Sequence, residues 1–594
     1  MFYKNIYIRL FTLIIAIVLL HKYAPTPLKY PNTKMSNNIS DKYHGKEIED
    51  EYRWLEDETS SQTEAWIQKQ NAFTNRYIRK ISFRKKIEKR LTDLWNYPTI
   101  SLPFKKGKKV YFYKNNGLQN QSILYAKNRI EDADSSAKVI IDPNNFSKNG
   151  GTSLSGIYFS NDNKYLGYAI SNSGSDWREF FIKDLSTGKN LSDHLEWIKF
   201  SGMSWAESGF YYNAFPKPTD GRELSDINQS SKVFFHKLGT SQSDDSLIFS
   251  DLTNPKISNY PSTTNDGRFL IIYRTKGTYG NALLVKDLNN ADSEFVSIVD
   301  DFTSEIDIID NIGGKLIAIT DRNAAKKKVV LIDFKNPNEK NWVTTIPENN
   351  NILTSVNLVN DKLVAHYMVN VLSSWIIHDI NGEIIKKVEL PGPGISYGFH
   401  GNKGQSVSWY VFESLVHPPT IFTYDFESLI SSTYYESKAK FDKNRFIMKQ
   451  DFYFSKDGTR VPIFIAHEKK LVLDNMAPTL LYGYGGFNIS EKPYFNKTIP
   501  VILENGGVYA IACIRGGGEY GQDWHSQGML SRKQNVFDDF ISAAEFLMVQ
   551  GFTSTEKLAI QGGSNGGTLI GAVINQRPDL FQVAFPEVGV MDML

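Results

Sequence analysis

Ser564 lies in the run Leu558-Ala559-Ile560-Gln561-Gly562-Gly563-Ser564-Asn565-Gly566-Gly567-Thr568-Leu569-Ile570. An apolar strand, a glycine-rich turn with a serine at its tip and an amphipathic helix are the parts of a Gly-x-Ser-x-Gly nucleophile elbow. A turn that lifts the serine hydroxyl clear of its strand strains the backbone, and a side chain two residues to either side would clash. Gly562 and Gly566 fill those two positions. The hydroxyl then stands at a helix N-terminus, where free N–H groups favour developing negative charge. The chemistry implied is acyl transfer with Ser564 as nucleophile. A glycine-rich strand-to-helix turn with an ordinary surface serine has the same five residues, so the surrounding elements must decide.

Two further loops add to the elbow. Tyr482-Gly483-Tyr484-Gly485-Gly486-Phe487-Asn488 follows the apolar run Leu480-Leu481-Tyr482, where a hydrolase places its second oxyanion donor. Arg515-Gly516-Gly517-Gly518-Glu519-Tyr520-Gly521 follows Val508–Ile514, another continuous apolar run of the buried parallel type. Its glycines allow either close backbone approach or simply tight loop packing. From about residue 440 the pattern is a hairpin (Asp451–Ala466, turning at Asp457-Gly458), then alternating strands and helices. A helix Asp538–Val549 ends before Gly551, and a last strand-like run covers Gln582–Val590. That is a doubly wound α/β arrangement.

Between about residues 97 and 437 helical periodicity almost vanishes. Phe159–Tyr168 and Thr264–Tyr273 resemble each other, and Trp205–Tyr212 is a looser copy; each reads as strand, Asn/Asp/Gly turn, strand. Such repeats mark a β-propeller, and this length at roughly 50 residues per blade suggests seven blades. A large irregular sandwich is the competing architecture. Upstream, Ser61 can cap a helix carrying Ala65, Trp66, Ile67 and Phe73, and a second helix spaces Ile87, Leu91 and Trp95 along one face. Both are expected to pack against a core.

Lys and Arg number 67 against 65 Asp and Glu, which leaves no electrostatic footprint for nucleic acid. The lysine clusters Lys105–Lys109 and Lys326–Lys328 are expected at solvated hairpin ends. The one cysteine, Cys513, excludes a disulfide framework and is expected as a core residue in its strand. No metal-ligand spacing occurs, and no metal or organic cofactor is expected. Lys4 and Arg9 precede an apolar run, Leu10–Leu20, that suits a signal-peptide core or a short anchor. Met35 offers a second start that would delete this leader. The sequon Asn488-Ile489-Ser490 within the candidate site weighs against exposure to a glycosylating compartment.

Together Tyr482–Ser490, Arg515–Gly521, Gly562–Gly567, Asn575–Phe581 and Val588–Leu594 resemble the prolyl oligopeptidase family of serine peptidases. Tyr43-His44-Gly45, Trp54–Asp57, Gly117–Gln121 and Ser173–Trp177 extend the resemblance across nearly everything after Met35. The resemblance implies an α/β-hydrolase domain with an inserted seven-bladed propeller that filters substrates by size. It divides the chain into a leader and linker (1–34), a first hydrolase segment (35–96), the propeller (97–437) and an incomplete catalytic domain (438–594). It implies a monomeric, cytosolic endopeptidase that cleaves short peptides after proline. Membrane contact would arise only through residues 5–22. It makes Ser564 the nucleophile, the Asn565 N–H and Tyr484 hydroxyl the oxyanion hole, and Phe487, Asn565 and Val590 the surroundings of the proline.

The chain departs from the family in one respect. An α/β hydrolase supplies its triad in the order Ser, Asp or Glu, His, yet all ten histidines precede Ser564. His525 stands close to the Arg515–Gly521 loop but is out of order for the family's base. Asp579 and Asp592 follow the serine in motifs that the family uses structurally. The resemblance places the triad Asp and His, a proline-stacking tryptophan and a substrate-anchoring arginine beyond Leu594, and implies that the chain as written is nearly inactive. One sheet edge and much apolar surface are then expected to lie open. A relative cleaving after Lys or Arg, and a non-catalytic propeller that binds peptides, are the alternatives.

Overall fold

The computed structural model describes residues 28–593 apart from 37, 38, 58, 220, 221, 224 and 225. The expected leader falls outside these residues. Among those described, no helix is long and apolar enough to cross a membrane. The chain forms two compact units, one of residues up to Arg90 together with Asp592 onward, the other of residues 91–591.

In the first unit a hairpin pairs Ser40–Tyr43 with Lys46–Glu49. Arg53 ties it together through Asp41 and Asp50. The helix Ser61–Ile78 begins one residue earlier than expected. Ser60, in extended conformation, is the cap, and its hydroxyl accepts the Thr63 N–H at 3.1 Å. Of this helix only Thr63 is buried, so its apolar residues are not the core face anticipated. One hairpin and short helices offer too little apolar surface to cover it. The next helix, Arg84–Trp95, buries Leu94 instead of the Ile87, Leu91 and Trp95 stripe.

The second unit contains the propeller. Seven sheets follow in order: Thr99–Ile141, Thr152–Lys199, Ser204–Ser250, Ser258–Val299, Ile306–Ile346, Ile352–Val388 and Ile395–Glu436. The three repeated segments are the hairpins joining first and second strands of blades 2, 3 and 4. Among the described residues no strand is shared between the first and last sheets. Their side chains close the ring: Val110 packs with Trp409, Val411 and Ile421, and the Tyr435 hydroxyl donates to the Pro98 carbonyl at 2.7 Å. Lys105–Lys109 does span a hairpin turn, but Lys106 points toward the propeller interior rather than to open solvent.

The α/β portion is a six-stranded sheet in the order Phe446–Phe454, Arg460–Glu468, Val508–Ala512, Thr479–Tyr482, Leu558–Gly563, Val583–Glu587. The first three are antiparallel neighbours; the rest run parallel. Helices Gln534–Val549 and Asn565–Gln576 cover one face through Val536, Phe540, Leu547, Leu569 and Ile570. On the other face Phe464, Ile499, Ile511 and Cys513 share one core with Ile352, Met368 and Leu415 of blades 6 and 7. Cys513 lies one residue past its strand and is fully buried. The edge strand Val583–Glu587 pairs on one side only, and Val583, Phe585, Val588 and Val590 are exposed.

Candidate active site

Ser564 stands between the elbow strand and the elbow helix with φ 55° and ψ −118°, and it is exposed. That conformation is costly for a residue with a Cβ and persists only where its surroundings impose it. They do so here. The Ser564 N–H donates to the Glu587 carbonyl at 2.9 Å, and the Ser564 carbonyl accepts from Gly567 and Thr568. A Cβ on Gly562 would stand 2.4 Å from the Gly566 carbonyl oxygen, and one on Gly566 would stand 2.7 Å from that of Gly483. The glycine spacing is therefore a packing requirement of the elbow. Among the described residues nothing accepts from the Asn565 N–H, which is left free at the helix N-terminus.

The Tyr484 ring lies beside this first turn, its Cδ2 3.5 Å from where a Gly566 Cβ would stand. The Asn565 side chain is held from two directions. Its amide donates to the Tyr484 carbonyl at 2.7 Å, and its oxygen accepts from the Lys533 ammonium at 3.0 Å. Gly486 makes room for this contact, since a Cβ there would come within 2.5 Å of Asn565 Nδ2. Lys533 also donates to the Gly485 carbonyl at 2.8 Å, and burial lowers its pKa to about 8. No motif in the sequence singled out Lys533. Its only sequence signal is a cation at the start of a helix that follows a glycine-rich loop.

Phe487 and Asn488 are consecutive left-handed residues, at φ 53° and 58°. Strain of this kind at a bulky Phe is more often found at functional loops than in plain connections. Phe487 and Val590 are both more than half exposed, so no closed slot surrounds them. Val590 is placed by its carbonyl, which accepts from the Thr568 hydroxyl at 2.7 Å.

His525 is buried. Its Nδ1 donates to the Gly516 carbonyl at 2.7 Å and stands 3.1 Å from the Asn488 nitrogen. Among the described residues no histidine hydrogen-bonds to Ser564. The glycine-rich loop is anchored by Arg515, whose guanidinium bridges Asp539 at 2.6 Å and Asp457 at 2.6 Å. Asp579 is engaged by Arg577 at 2.8 Å. The one described trio able to hold a metal, Glu179, His194 and Glu196, lies on blade 2 and contributes nothing to the elbow. The arrangement around Ser564 can present a hydroxyl to an acyl carbon and a free backbone donor to its oxygen.

The chain matches the prolyl oligopeptidase N-terminal β-propeller domain over residues 31–436 and the prolyl oligopeptidase family over residues 493–594. It is 44% identical over 570 residues to the prolyl endopeptidase of Elizabethkingia miricola, covering 96% of this chain and 80% of the relative. The prolyl endopeptidase of Elizabethkingia meningoseptica is 43% identical over 568 residues, with the same coverage. Among solved structures, prolyl oligopeptidase B from Galerina marginata bound to a 35mer hydrolysis and macrocyclization substrate superposes with a TM-score of 0.90. That chain is 30% identical, with 96% of this chain and 84% of the other covered. A strained serine between two obligatory glycines stands here on an α/β sheet that shares a core with a seven-bladed propeller, and by its sequence likeness the chain belongs to the prolyl oligopeptidase family of serine peptidases.

Proposed function

We propose that the protein is an endopeptidase that hydrolyses short peptides on the carboxyl side of proline. Ser564 attacks the scissile carbonyl, and the Asn565 N–H and Tyr484 hydroxyl receive the oxyanion. Phe487, Asn565 and Val590 surround the proline ring, whose rigid apolar shape suits such contacts better than a charged side chain does. In this reading residues 97–437 form the propeller, and 35–96 and 438–594 belong to the catalytic domain. The enzyme works as a cytosolic monomer. The observation that carries the proposal is the strained, glycine-locked conformation of the exposed Ser564.

Turnover needs a base for the serine proton, and losing one triad member costs several orders of magnitude. His525, whose Nδ1 is held by the Gly516 carbonyl, is not assigned that role. The test is hydrolysis of a Pro-reporter peptide by the enzyme and by its Ser564→Ala variant. Loss of turnover with peptide binding retained is expected; turnover surviving Ser564→Ala would refute the assignment. Peptide binding without turnover in every form would favour a non-catalytic peptide-binding protein, the reading that the engaged His525 recommends.

A further inference from the structure

A cavity of about 1370 Å³ runs along the propeller interior and into the seam between blades 1 and 7. Tyr113, Tyr158, Trp205 and Tyr397 give it aromatic walls, and Phe495 and Lys497 reach it from the α/β portion. Three lysines and two aspartates line it, but their charges are unevenly matched. Asp310 accepts from the Asn265 N–H at 3.2 Å and side-chain amide at 3.1 Å, and faces the Lys403 ammonium at 3.8 Å. Asp266 accepts from the Asn311 amide and the Thr264 hydroxyl, each at 2.8 Å. The aspartates and Lys403 are thereby satisfied among themselves.

Lys106 and Lys497 are not. Among the described residues no carboxylate lies within ion-pair distance of either. The Lys106 charge instead acts on His400, another base. Lys497 rests over the rings of Tyr97 and Trp95, at 4.6 and 5.5 Å from their centroids. Burial holds both ammonium groups below their usual pKa. A partly desolvated cation with no anion is costly, and an arriving anion recovers part of that cost.

The chain itself connects the cavity lining to Phe487. Phe487 and Lys497 belong to one connecting segment, residues 483–498, between the strand Thr479–Tyr482 and the helix Ile499–Glu504. We propose that the cavity is a carboxylate subsite: a peptide whose proline lies beside Phe487 sets a carboxylate, from its C-terminus or from an acidic side chain, against Lys106 and Lys497. This rests on the peptidase reading above and adds to it a preference for anionic peptides.

The test is fluorescence-anisotropy binding to the full chain carrying Ser564→Ala. One labelled proline peptide is used in four forms, with a C-terminal acid or amide and an internal Glu or Gln. The subsite predicts that a form with a carboxylate binds about five- to tenfold more tightly than the uncharged form, the two carboxylate sources being told apart by which substitution loses the preference. Lys106→Met or Lys497→Met should remove the preference and Lys497→Arg should keep it. Raising the salt concentration should weaken only the anionic forms, a readout independent of whether the variants fold. Equal affinity for all four forms would overturn the subsite while leaving the peptidase reading intact. Binding of none of them would overturn both.

Discussion

Lys533 shows what a single side chain does at this site. Its ammonium joins the Gly485 carbonyl to the Asn565 side chain, and Asn565 in turn holds the Tyr484 carbonyl. The two loops that would supply the oxyanion donors are therefore fixed to each other both directly, by the Asn565 amide, and through one shared cation. An oxyanion donor misplaced by a fraction of an ångström loses much of its effect, because its value lies in being oriented before charge develops. Lys533→Met should lower kcat on a Pro-reporter peptide by about ten- to a hundredfold with KM changed less than about threefold. Since burial lowers the Lys533 pKa to about 8, the parent enzyme should lose rate as the ammonium deprotonates above that pH. Lys533→Arg, charged throughout, should not. A kcat unchanged in Lys533→Met would show that the loops are held without it. Ser564 and its glycines could be read from the sequence because the signature of an elbow is local, the serine and both glycines falling within five residues, although Glu587 and Gly483 also hold the turn. Lys533 could not, because its partners Gly485 and Asn565 are distant in the chain and only the folded sheet brings them together.

At the scale of elements, the two loops behind the elbow contain a buried acid, Glu519, and a half-buried one, Glu491. Glu519 is 2% exposed; one oxygen accepts the Glu491 N–H at 2.7 Å and the other has no partner. Burial raises the pKa of Glu519 to about 8 and that of Glu491 to about 7, with the Lys492 ammonium opposing this at Glu519. The unfolded chain gives up these protons near pH ~4.3, whereas the folded protein keeps them. Between there and about pH 8 the native state therefore binds more protons than the unfolded state, and stability falls as pH rises before levelling off. Glu519→Gln should melt with the parent near pH 5 and above it at pH 8.5, by several degrees in thermal unfolding. An identical pH slope in both would mean that Glu519 is already ionised in the fold. Element positions were largely legible, since hairpin turns and buried strands have short-range signatures: Asp457-Gly458 does turn the hairpin, and Gly551 follows the helix ending at Val549. Which face an element buries was less so. Ile87, Leu91 and Trp95 have helical spacing, yet Leu94 is the residue that packs, because burial depends on what the rest of the chain brings alongside.

Over the whole molecule, a propeller could be inferred from repeated strand–turn–strand segments and seven blades from the length of the region, but how the ring closes could not. That depends on Val110 meeting Trp409 and Val411, residues of the first and last blades, and repeats carry no record of such a pairing. The same holds for the union of the propeller with the α/β sheet. Leu415 and Met368 of the propeller pack in one cluster with Phe464, Ile511 and Cys513 of the sheet, and Leu415 is fully buried there. A core common to both should couple their unfolding, since neither can open without exposing apolar surface that the other has buried. Leu415→Ala removes buried volume at this junction and should destabilise by about 2–5 kcal/mol. The coupling predicts a single calorimetric transition in the parent that moves as a whole to lower temperature in the variant, with the near-UV signals of propeller and sheet aromatics lost together. Two transitions, of which only one shifts, would mean that the propeller melts by itself. The shared core would then be a contact between independent domains rather than the element that makes them one cooperative unit.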